Sequence, residues 1–388
     1  MKTDSILISS LIFSEPAMLN RSGIGINPAA RRWLIGISDG LRKNQKDVYY
    51  LGHEITSLFP KGSFSPGNKV DLMYPESSVL AKYLNIWPFR WWSLSFMYKR
   101  SYPQVVNSIG KPSYLLSYNP WPNQIALGNF VKHMHSEVNW IMVVLDYDHA
   151  EKGFEDLLKK TKKVDYFVFL SQWAYDNFPL KNKFLLEGGV NAHSIDNRYN
   201  SYQKNLGITS RKEKFVILYS GMFDKWGGLE KLLQVFTSIH IDSELELWVC
   251  GFGNSDYIFK AMDYDDRIKF YGTVSNKKLE NLSLKADAFI NPRPKNISGN
   301  LMNFPSKLLE YLTYCKPVIS TYTPGLPGEY KDVIFLIEDT EESIRNAIFD
   351  VTQLDYSSQN LLSKKIFEFL RNKTWQNQIS RLFDWIEK

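Results

Sequence analysis

The sequence predicts an α/β fold made of two doubly wound domains, and three observations indicate it. Short apolar strands alternate with amphipathic helices along the chain, as in parallel sheets covered by helices. The 388 residues suit two domains of ordinary size. The first predicted strand, residues 5–13, is followed by a Gly-rich loop and by a helix from Pro28 to about Lys43, the order of elements found around phosphates in doubly wound folds.

The first domain is predicted to span residues 1–195. Further strands are expected at 47–51, 113–118, 138–145, 166–171 and 183–190. The polar, turn-rich segment 52–78 predicts an irregular excursion. Gly25, in the loop before the first helix, is a candidate contact for a phosphate, and an ordinary tight turn is the alternative.

Two acids and a histidine directly follow the apolar strand 138–145. They are Asp146, Asp148 and His149. Ligands and chemistry gather beyond the carboxyl ends of strands in open α/β sheets, so these three are the candidate catalytic residues. The alternative is a loop whose acids cap the next helix.

The net charge of +6 lies in the first half of the chain, where residues 77–136 contain no acid. The candidate interface residues of this stretch are Trp87, Arg90, Trp91, Trp92, Lys99 and Arg100. Such a basic, Trp-rich segment fits an anionic lipid surface. Two alternatives remain: a helix that buries its tryptophans and exposes its lysines, or a nucleic-acid surface.

Composition argues against several other classes of protein. Cys250 and Cys315 lie in apolar runs and are expected to be core residues rather than a disulfide. The sequence has no CxxC or HExxH motif, so no metal site is predicted. No apolar run approaches 18 residues, and residues 6–13 are too short for a signal peptide, so we expect a cytoplasmic protein.

The second domain is predicted to span residues 196–373, after a polar linker at 193–213. Strands are expected at 215–220, 245–250, 267–271, 286–290, 317–320 and 333–337, with helices at 341–352 and 357–371. Gly221, Gly251 and Gly253 follow the first two of these strands. A last amphipathic helix is expected at 374–386.

The stretch around residues 289–330 contains the predicted anion site. Pro305 suits the first turn of a helix, whose free N–H groups, with Ser306 and Lys307, favour an anion. Glu310 lies one turn further along the same face, about 6 Å away along the helix axis. This separation suits a diphosphate at the helix tip and ribose hydroxyls at Glu310. The alternative is an amphipathic helix with a polar surface.

Residues 289–330, together with the pattern Ser220-Gly221-x3-Lys225, resemble the donor site of GT-B glycosyltransferases. The resemblance is greatest to the family-4-like retaining enzymes that build bacterial surface polysaccharides. It implies two Rossmann-like domains facing across a cleft, with the C-terminal helix 374–388 packed back on the first domain. It also implies that Glu310 binds the nucleotide ribose and that Gly221, Lys225, Gly251 and Gly253 lie at the donor.

The sequence departs from the family pattern at two positions. Met302 stands where a second Glu is usual, and Met222 stands where an Arg usually holds the diphosphate. We expect Arg293, Lys295 or Lys307 to supply the missing positive charge.

The resemblance implies transfer of a sugar, with retention, from a UDP- or GDP-linked donor to a hydroxyl of a lipid-linked glycan. It further implies a lipopolysaccharide or capsule pathway, a peripheral place at the inner face of the plasma membrane, no metal or other cofactor, and no nucleic acid. Two alternatives remain open: a nucleotide-sugar epimerase of the same fold, and an inactive protein that binds glycans or nucleotides.

Overall fold

The computed structural model describes residues 4–11, 28–67, 74–145, 152–206, 214–239 and 245–388. Contacts divide the chain into two compact units. The first comprises Met1–Leu170, Ala174–Glu187 and Trp375–Lys388, and the second comprises Ser171–Trp173 and Gly188–Thr374. Each unit is built on one parallel sheet with helices, which confirms the predicted α/β class.

The first sheet has seven parallel strands in the order β3-β2-β1-β4-β5-β6-β7. The strands are β1 Ser5–Leu11, β2 Asp47–His53, β3 Ser78–Leu80, β4 Tyr114–Tyr118, β5 Asn139–Val144, β6 Tyr166–Phe169 and β7 Lys183–Leu185. The helices are α1 Pro28–Lys43, α2 Arg90–Ile109, α3 Pro122–Met134, α4 Lys152–Lys160 and α5 Gln172–Asn177. The chain builds outward from β1 to β3 and then returns to β4 beside β1. The strand order therefore reverses between β1 and β4, which is where doubly wound sheets bind ligands.

The last helix, α14 (Trp375–Ile386), packs on α1 within the first unit. The ring of Trp375 meets Trp33 edge-on at a centroid distance of 5.8 Å. Gly36 leaves room for it, because a Cβ at that position would lie 2.0 Å from the Trp375 ring. Helix α14 thus completes the hydrophobic core on this side of the first sheet.

The second sheet has six parallel strands in the order β10-β9-β8-β11-β12-β13. The strands are β8 Phe215–Phe223, β9 Leu245–Gly253, β10 Ile268–Gly272, β11 Ala288–Asn291, β12 Val318–Thr321 and β13 Phe335–Ile337. The helices are α6 Ala192–Leu206, α7 Leu229–Ser238, α8 Asp256–Tyr264, α9 Asn276–Lys285, α10 Ser298–Met302, α11 Ser306–Leu312, α12 Glu341–Thr352 and α13 Tyr356–Asn372. Here the strand order reverses between β8 and β11.

Two local predictions differ from the structure. The polar stretch 193–213 was expected to be a linker, but its first part belongs to α6, which packs against α13. The aromatic rings of Tyr199 and Phe367 stack there at 4.1 Å. A few apolar side chains on one face are enough to hold such a polar helix against its neighbour. For the polar stretch 296–302 the sequence predicts a loop, but the structure has the short helix α10 there.

Cys250 and Cys315 are buried and form no disulfide, as predicted. Among the helices of the described ranges, none combines the length and the apolar character needed to cross a lipid bilayer.

Candidate functional site

The predicted donor residues of the second unit gather at the carboxyl edge of its sheet. Gly221 lies near the end of β8, Lys225 lies in the loop that follows, and Arg293 follows the end of β11. β8 and β11 are the two strands between which the strand order reverses. The loops after them diverge at such a point and leave room for a ligand.

Helix α11 is anchored to the end of β8 by two side chains. The Tyr311 hydroxyl accepts a hydrogen bond from the Ser220 amide (2.9 Å) and donates one to the Ser220 carbonyl (3.0 Å). The Lys307 ammonium donates to the same carbonyl. Lys307 therefore carries its positive charge from α11 to the residue that precedes Gly221.

Glu310 is half-buried and lies one turn after the exposed Ser306. Burial raises the pKa of the Cys250 thiol in β9, while the Lys307 charge lowers that pKa and the Glu310 charge raises it. Lys307 and Glu310 therefore both act on the end of β9. Helix α11 has only two turns, so its dipole is modest and the side-chain charges must dominate the local field.

Arg293 lies within electrostatic reach of the loop after β8. Burial raises the pKa of Tyr219, and the Arg293 guanidinium opposes this rise. The Tyr219 hydroxyl donates a hydrogen bond to the Met222 carbonyl (2.8 Å). Arg293 thus places a positive charge near Met222, where the family pattern has an arginine.

The other two cations of this edge differ in their surroundings. The Lys295 ammonium lies 2.5 Å from the Glu338 carboxylate, so its charge is partly neutralised. Lys225 is exposed, with its ammonium 5.8 Å from the Trp226 ring.

Two contacts that the sequence did not reveal tie the loops after β8 and β11 together. Gly228 has φ +71°, and a Cβ there would lie 1.8 Å from the Pro292 carbonyl oxygen. The buried Asn300 amide donates to the carbonyls of Trp226 (3.0 Å) and Pro294 (3.1 Å). The amide of Asn300 thus fixes the spacing of the two loops.

Backbone conformation and close packing require glycine at positions 251 and 253, whether or not a ligand binds there. Both have positive φ, +144° and +134°. A Cβ on Gly251 would lie 1.7 Å from the Gly221 carbonyl oxygen, and one on Gly253 would lie 2.9 Å from the Phe223 backbone nitrogen. Only glycine lets β8 and β9 pair as far as this edge.

Gly25 and the predicted catalytic residues Asp146, Asp148 and His149 lie outside the described residues. A hydrogen bond holds in place the end of β5, which lies just before Asp146 in the chain. Asn119, which has φ +61° at the end of β4, accepts a hydrogen bond from the Leu145 amide through its Oδ1 (2.9 Å). β4 borders the point where the first sheet reverses its strand order.

His53 is a second histidine at the carboxyl end of a strand, and the sequence analysis missed it. The strand was predicted to end at residue 51, but β2 continues to His53. Its Nδ1 lies 2.6 Å from the Tyr98 hydroxyl, which donates to the Ser10 carbonyl (2.9 Å). Burial, with a smaller contribution from Arg90, lowers the pKa of His53 to about 3. His53 is therefore neutral across the physiological range.

The tryptophans of the basic segment are exposed. Trp87 is 75% exposed, Trp92 67% and Trp91 42%. Arg100 is also exposed, and Arg90 and Lys99 are half-buried. The alternative that Trp91 and Trp92 are core residues is therefore wrong.

A metal site is not apparent within the ranges that the structure describes, where no three His, Cys, Asp or Glu side chains gather closely enough to hold an ion.

Residues 204–366 match the family described as glycosyl transferases group 1. No curated protein sequence matches the chain closely enough to count as a relative.

Solved structures match the whole chain. A glycosyltransferase from Rickettsia africae aligns with a TM-score of 0.67 and 13% identity, over 100% of this chain and 99% of that one. Anabaena HepE, in complex with UDP and glucose, aligns with a TM-score of 0.61 and 13% identity, over 98% and 99%. The lipopolysaccharide outer core galactosyltransferase WaaB aligns with a TM-score of 0.62 and 13% identity, over 97% and 99%. At this level of identity these likenesses show the fold.

Proposed function

We propose that the protein, which has the two-domain, Rossmann-like GT-B fold, is a glycosyltransferase that moves a sugar from a nucleotide diphosphate sugar to a hydroxyl of a lipid-linked glycan. The single observation that carries this proposal is the placement of Lys307, Glu310 and Arg293 around the point where the second sheet reverses its strand order.

The donor's diphosphate lies between the loops after β8 and β11. When the bond from the anomeric carbon to the diphosphate breaks, negative charge develops on the leaving oxygen, and nearby cations stabilise it. Lys307 supplies one such charge from the end of β8, Arg293 supplies a second from the end of β11, and exposed Lys225 supplies a third. Ser306 adds a hydroxyl at the same edge.

Glu310 binds the ribose. A carboxylate accepts hydrogen bonds from two neighbouring hydroxyls, and its position one turn after Ser306 matches the distance from a diphosphate to its ribose. The two residues that depart from the family pattern are then compensated by others. Arg293 supplies positive charge near Met222, and Glu310 binds the ribose without a second carboxylate at Met302.

The transfer proceeds with retention, as the resemblance of the donor site implies, and side-chain cations stabilise the leaving group in place of a metal ion. One of Asp146, Asp148 and His149 orients the acceptor hydroxyl, since these residues follow β5 directly after the anchored Leu145. The donor is UDP-linked rather than GDP-linked, by likeness to the Anabaena protein that holds UDP and glucose.

The acceptor is a lipid-linked glycan of bacterial surface-polysaccharide synthesis, as the likeness to a lipopolysaccharide outer core galactosyltransferase suggests. The enzyme then acts in the cytoplasm at the inner face of the plasma membrane.

Binding of UDP tests the donor site. Removing a carboxylate that accepts hydrogen bonds from a ligand costs about 1.5–3 kcal/mol, so Glu310→Gln should weaken UDP binding by about 10- to 150-fold. Glu368→Gln is the matched control, because Glu368 is an exposed acid on α13. Equal UDP affinity in wild type and Glu310→Gln would remove Glu310 from the donor site.

Product analysis tests the reaction. A transferase releases UDP from UDP-glucose in step with sugar transfer to a hydroxyl acceptor, or slowly to water. An epimerase would change the sugar without an acceptor, and an inactive binding protein would bind UDP without turnover. Either of these last results would contradict the proposed function.

A further inference from the structure

Nine large apolar side chains are exposed between residues 58 and 96, out of nineteen exposed ones in the described part of the chain. They are Leu58, Phe59, Phe64, Leu84, Trp87, Phe89, Trp91, Trp92 and Phe96. Proteins without a partner for such a surface rarely concentrate apolar groups in this way. The sequence predicted only part of this surface, because residues 52–78 were expected to form an irregular excursion.

Asn85 joins the two segments that carry these side chains. It is fully buried, and its amide nitrogen donates to the carbonyls of Ser57 (2.6 Å) and Ser63 (2.8 Å). Its backbone carbonyl accepts from the Phe59 amide (3.1 Å), and its backbone amide donates to the Phe64 carbonyl (2.8 Å). The loop 57–64 is thus held beside residues 84–87.

Helix α2 continues the same surface. The Ser93 hydroxyl accepts from the Leu84 amide (2.7 Å), which ties the start of α2 to the segment 84–87 that lies beside the loop. Trp92 and Phe96 stack at 5.9 Å, and Lys99 follows on the same helical face. The opposite face of α2, which includes Leu94 and Tyr98, is buried. The aromatic face of α2 is therefore exposed among the described residues of the first unit.

Within the loop 57–64 and residues 84–100, every charged side chain is basic. Residues 55–67 and 77–136 contain no Asp or Glu. The basic residues of the loop 57–64 and of residues 84–100 are Lys61, Arg90, Lys99 and Arg100. Aromatic rings flanked by lysine and arginine suit the headgroup level of an anionic bilayer, where the rings bury their apolar parts and the cations meet lipid phosphates.

We propose that loop 57–64 and residues 84–100 together form one membrane-docking surface, which binds anionic lipid. This inference rests on the proposed function for its purpose, because a lipid-linked acceptor is presented at a bilayer. It differs from a general basic patch in that it needs the aromatic side chains of both segments. A second copy of the chain fits less well, because two surfaces of the same positive sign would repel each other.

Sedimentation with vesicles tests the proposal. The purified protein should bind vesicles of phosphatidylglycerol and phosphatidylcholine but remain in solution with phosphatidylcholine alone. Trp87→Ser with Trp92→Ser should reduce binding at least about tenfold through lost apolar burial. Phe59→Ser should reduce it as well, although this residue lies in the other segment. Each of Lys61→Gln and Arg100→Gln should reduce it by about fivefold.

Matched controls come from the second unit, where Tyr264 is 88% and Phe349 52% exposed. Tyr264→Ser with Phe349→Ser, and Lys364→Gln with Lys365→Gln, should leave vesicle binding unchanged. Wild type that stays in solution with anionic vesicles, or tryptophan variants that bind as wild type does, would overturn the proposal. So would a concentration-dependent dimer that the tryptophan changes abolish.

The failure of this inference is distinguishable from the failure of the proposed function. UDP binding, measured without vesicles by thermal shift, reports the donor site alone. The tryptophan variants should keep the wild-type thermal shift with UDP, which also shows that they are folded. Lost vesicle binding with retained UDP binding supports the surface, whereas absent UDP binding in wild type contradicts the donor site and leaves the vesicle result to stand by itself.

Discussion

Replacing Lys307 by methionine separates a role in leaving-group stabilisation from a role in folding. The Lys307 ammonium donates to the Ser220 carbonyl, but the Tyr311 hydroxyl donates to the same oxygen. Loss of the ammonium therefore leaves that carbonyl with a partner. We expect the free energy of unfolding to change by about 1 kcal/mol or less.

The effect on catalysis should be much larger. Removing one group that stabilises charge in a transition state lowers the rate by about 10²- to 10³-fold. The assay is UDP release from UDP-glucose, with urea unfolding of the same variant. A Lys307→Met enzyme that is as active as wild type and equally stable would refute the assigned role.

Tyr311→Phe provides the contrast. It removes the acceptor of the Ser220 amide as well as one donor to the Ser220 carbonyl, both in a buried setting. An unsatisfied buried amide costs about 1–3 kcal/mol, so this variant should lose stability. If Lys307→Met proves the more destabilised of the two, Lys307 acts as a structural anchor.

Three further predictions concern stability. Gly228→Ala should lower the free energy of unfolding by about 1–3 kcal/mol from its backbone conformation alone. It should also weaken UDP binding, because a Cβ would lie 1.8 Å from the Pro292 carbonyl oxygen and would push apart the loops after β8 and β11. Unchanged UDP affinity by calorimetry would contradict this role of Gly228. The pKa of His53 is about 3 in the folded protein, below its ordinary value of 6.5. Below pH 6.5 the unfolded chain therefore binds a proton that the folded protein does not, so the stabilisation from neutral His53 is complete above pH 6.5 and is lost as the pH falls. The free energy of unfolding should fall by up to about 1.4 kcal/mol per pH unit from this group between pH 6.5 and 3, and a His53→Gln variant with the same slope in urea titrations would contradict this. Lys316→Met should lower the free energy of unfolding by about 3 kcal/mol in urea, because the buried Lys316 ammonium donates to three carbonyls at the end of α9. Lys364→Met, at an exposed site, is the control and should change the free energy of unfolding by less than about 0.5 kcal/mol.

The sequence predicts the framework well because its physical causes are local. The helix predicted from Pro28 to Lys43 is observed with those bounds, and so is the helix at 341–352. Continuous apolar runs predict the buried strands of both sheets, since a parallel strand covered on both faces needs no polar side.

The misses have equally clear causes. β2 continues past Leu51 because Gly52 pairs with Leu80 of β3 and His53 pairs with Leu11 of β1, contacts between distant segments that no local pattern records. The polar helix α6 depends on packing against α13. Asn300 links the loops after β8 and β11, and Asn85 links the two aromatic segments, each through one buried side-chain amide. A sequence does not distinguish such a residue from a surface asparagine.

A crystal structure with UDP bound tests the central claim most directly. The assignment predicts the diphosphate within hydrogen-bond distance of Lys307 or Arg293, between the loops after β8 and β11, and the ribose hydroxyls on the Glu310 carboxylate. A nucleotide bound away from these three side chains would contradict it.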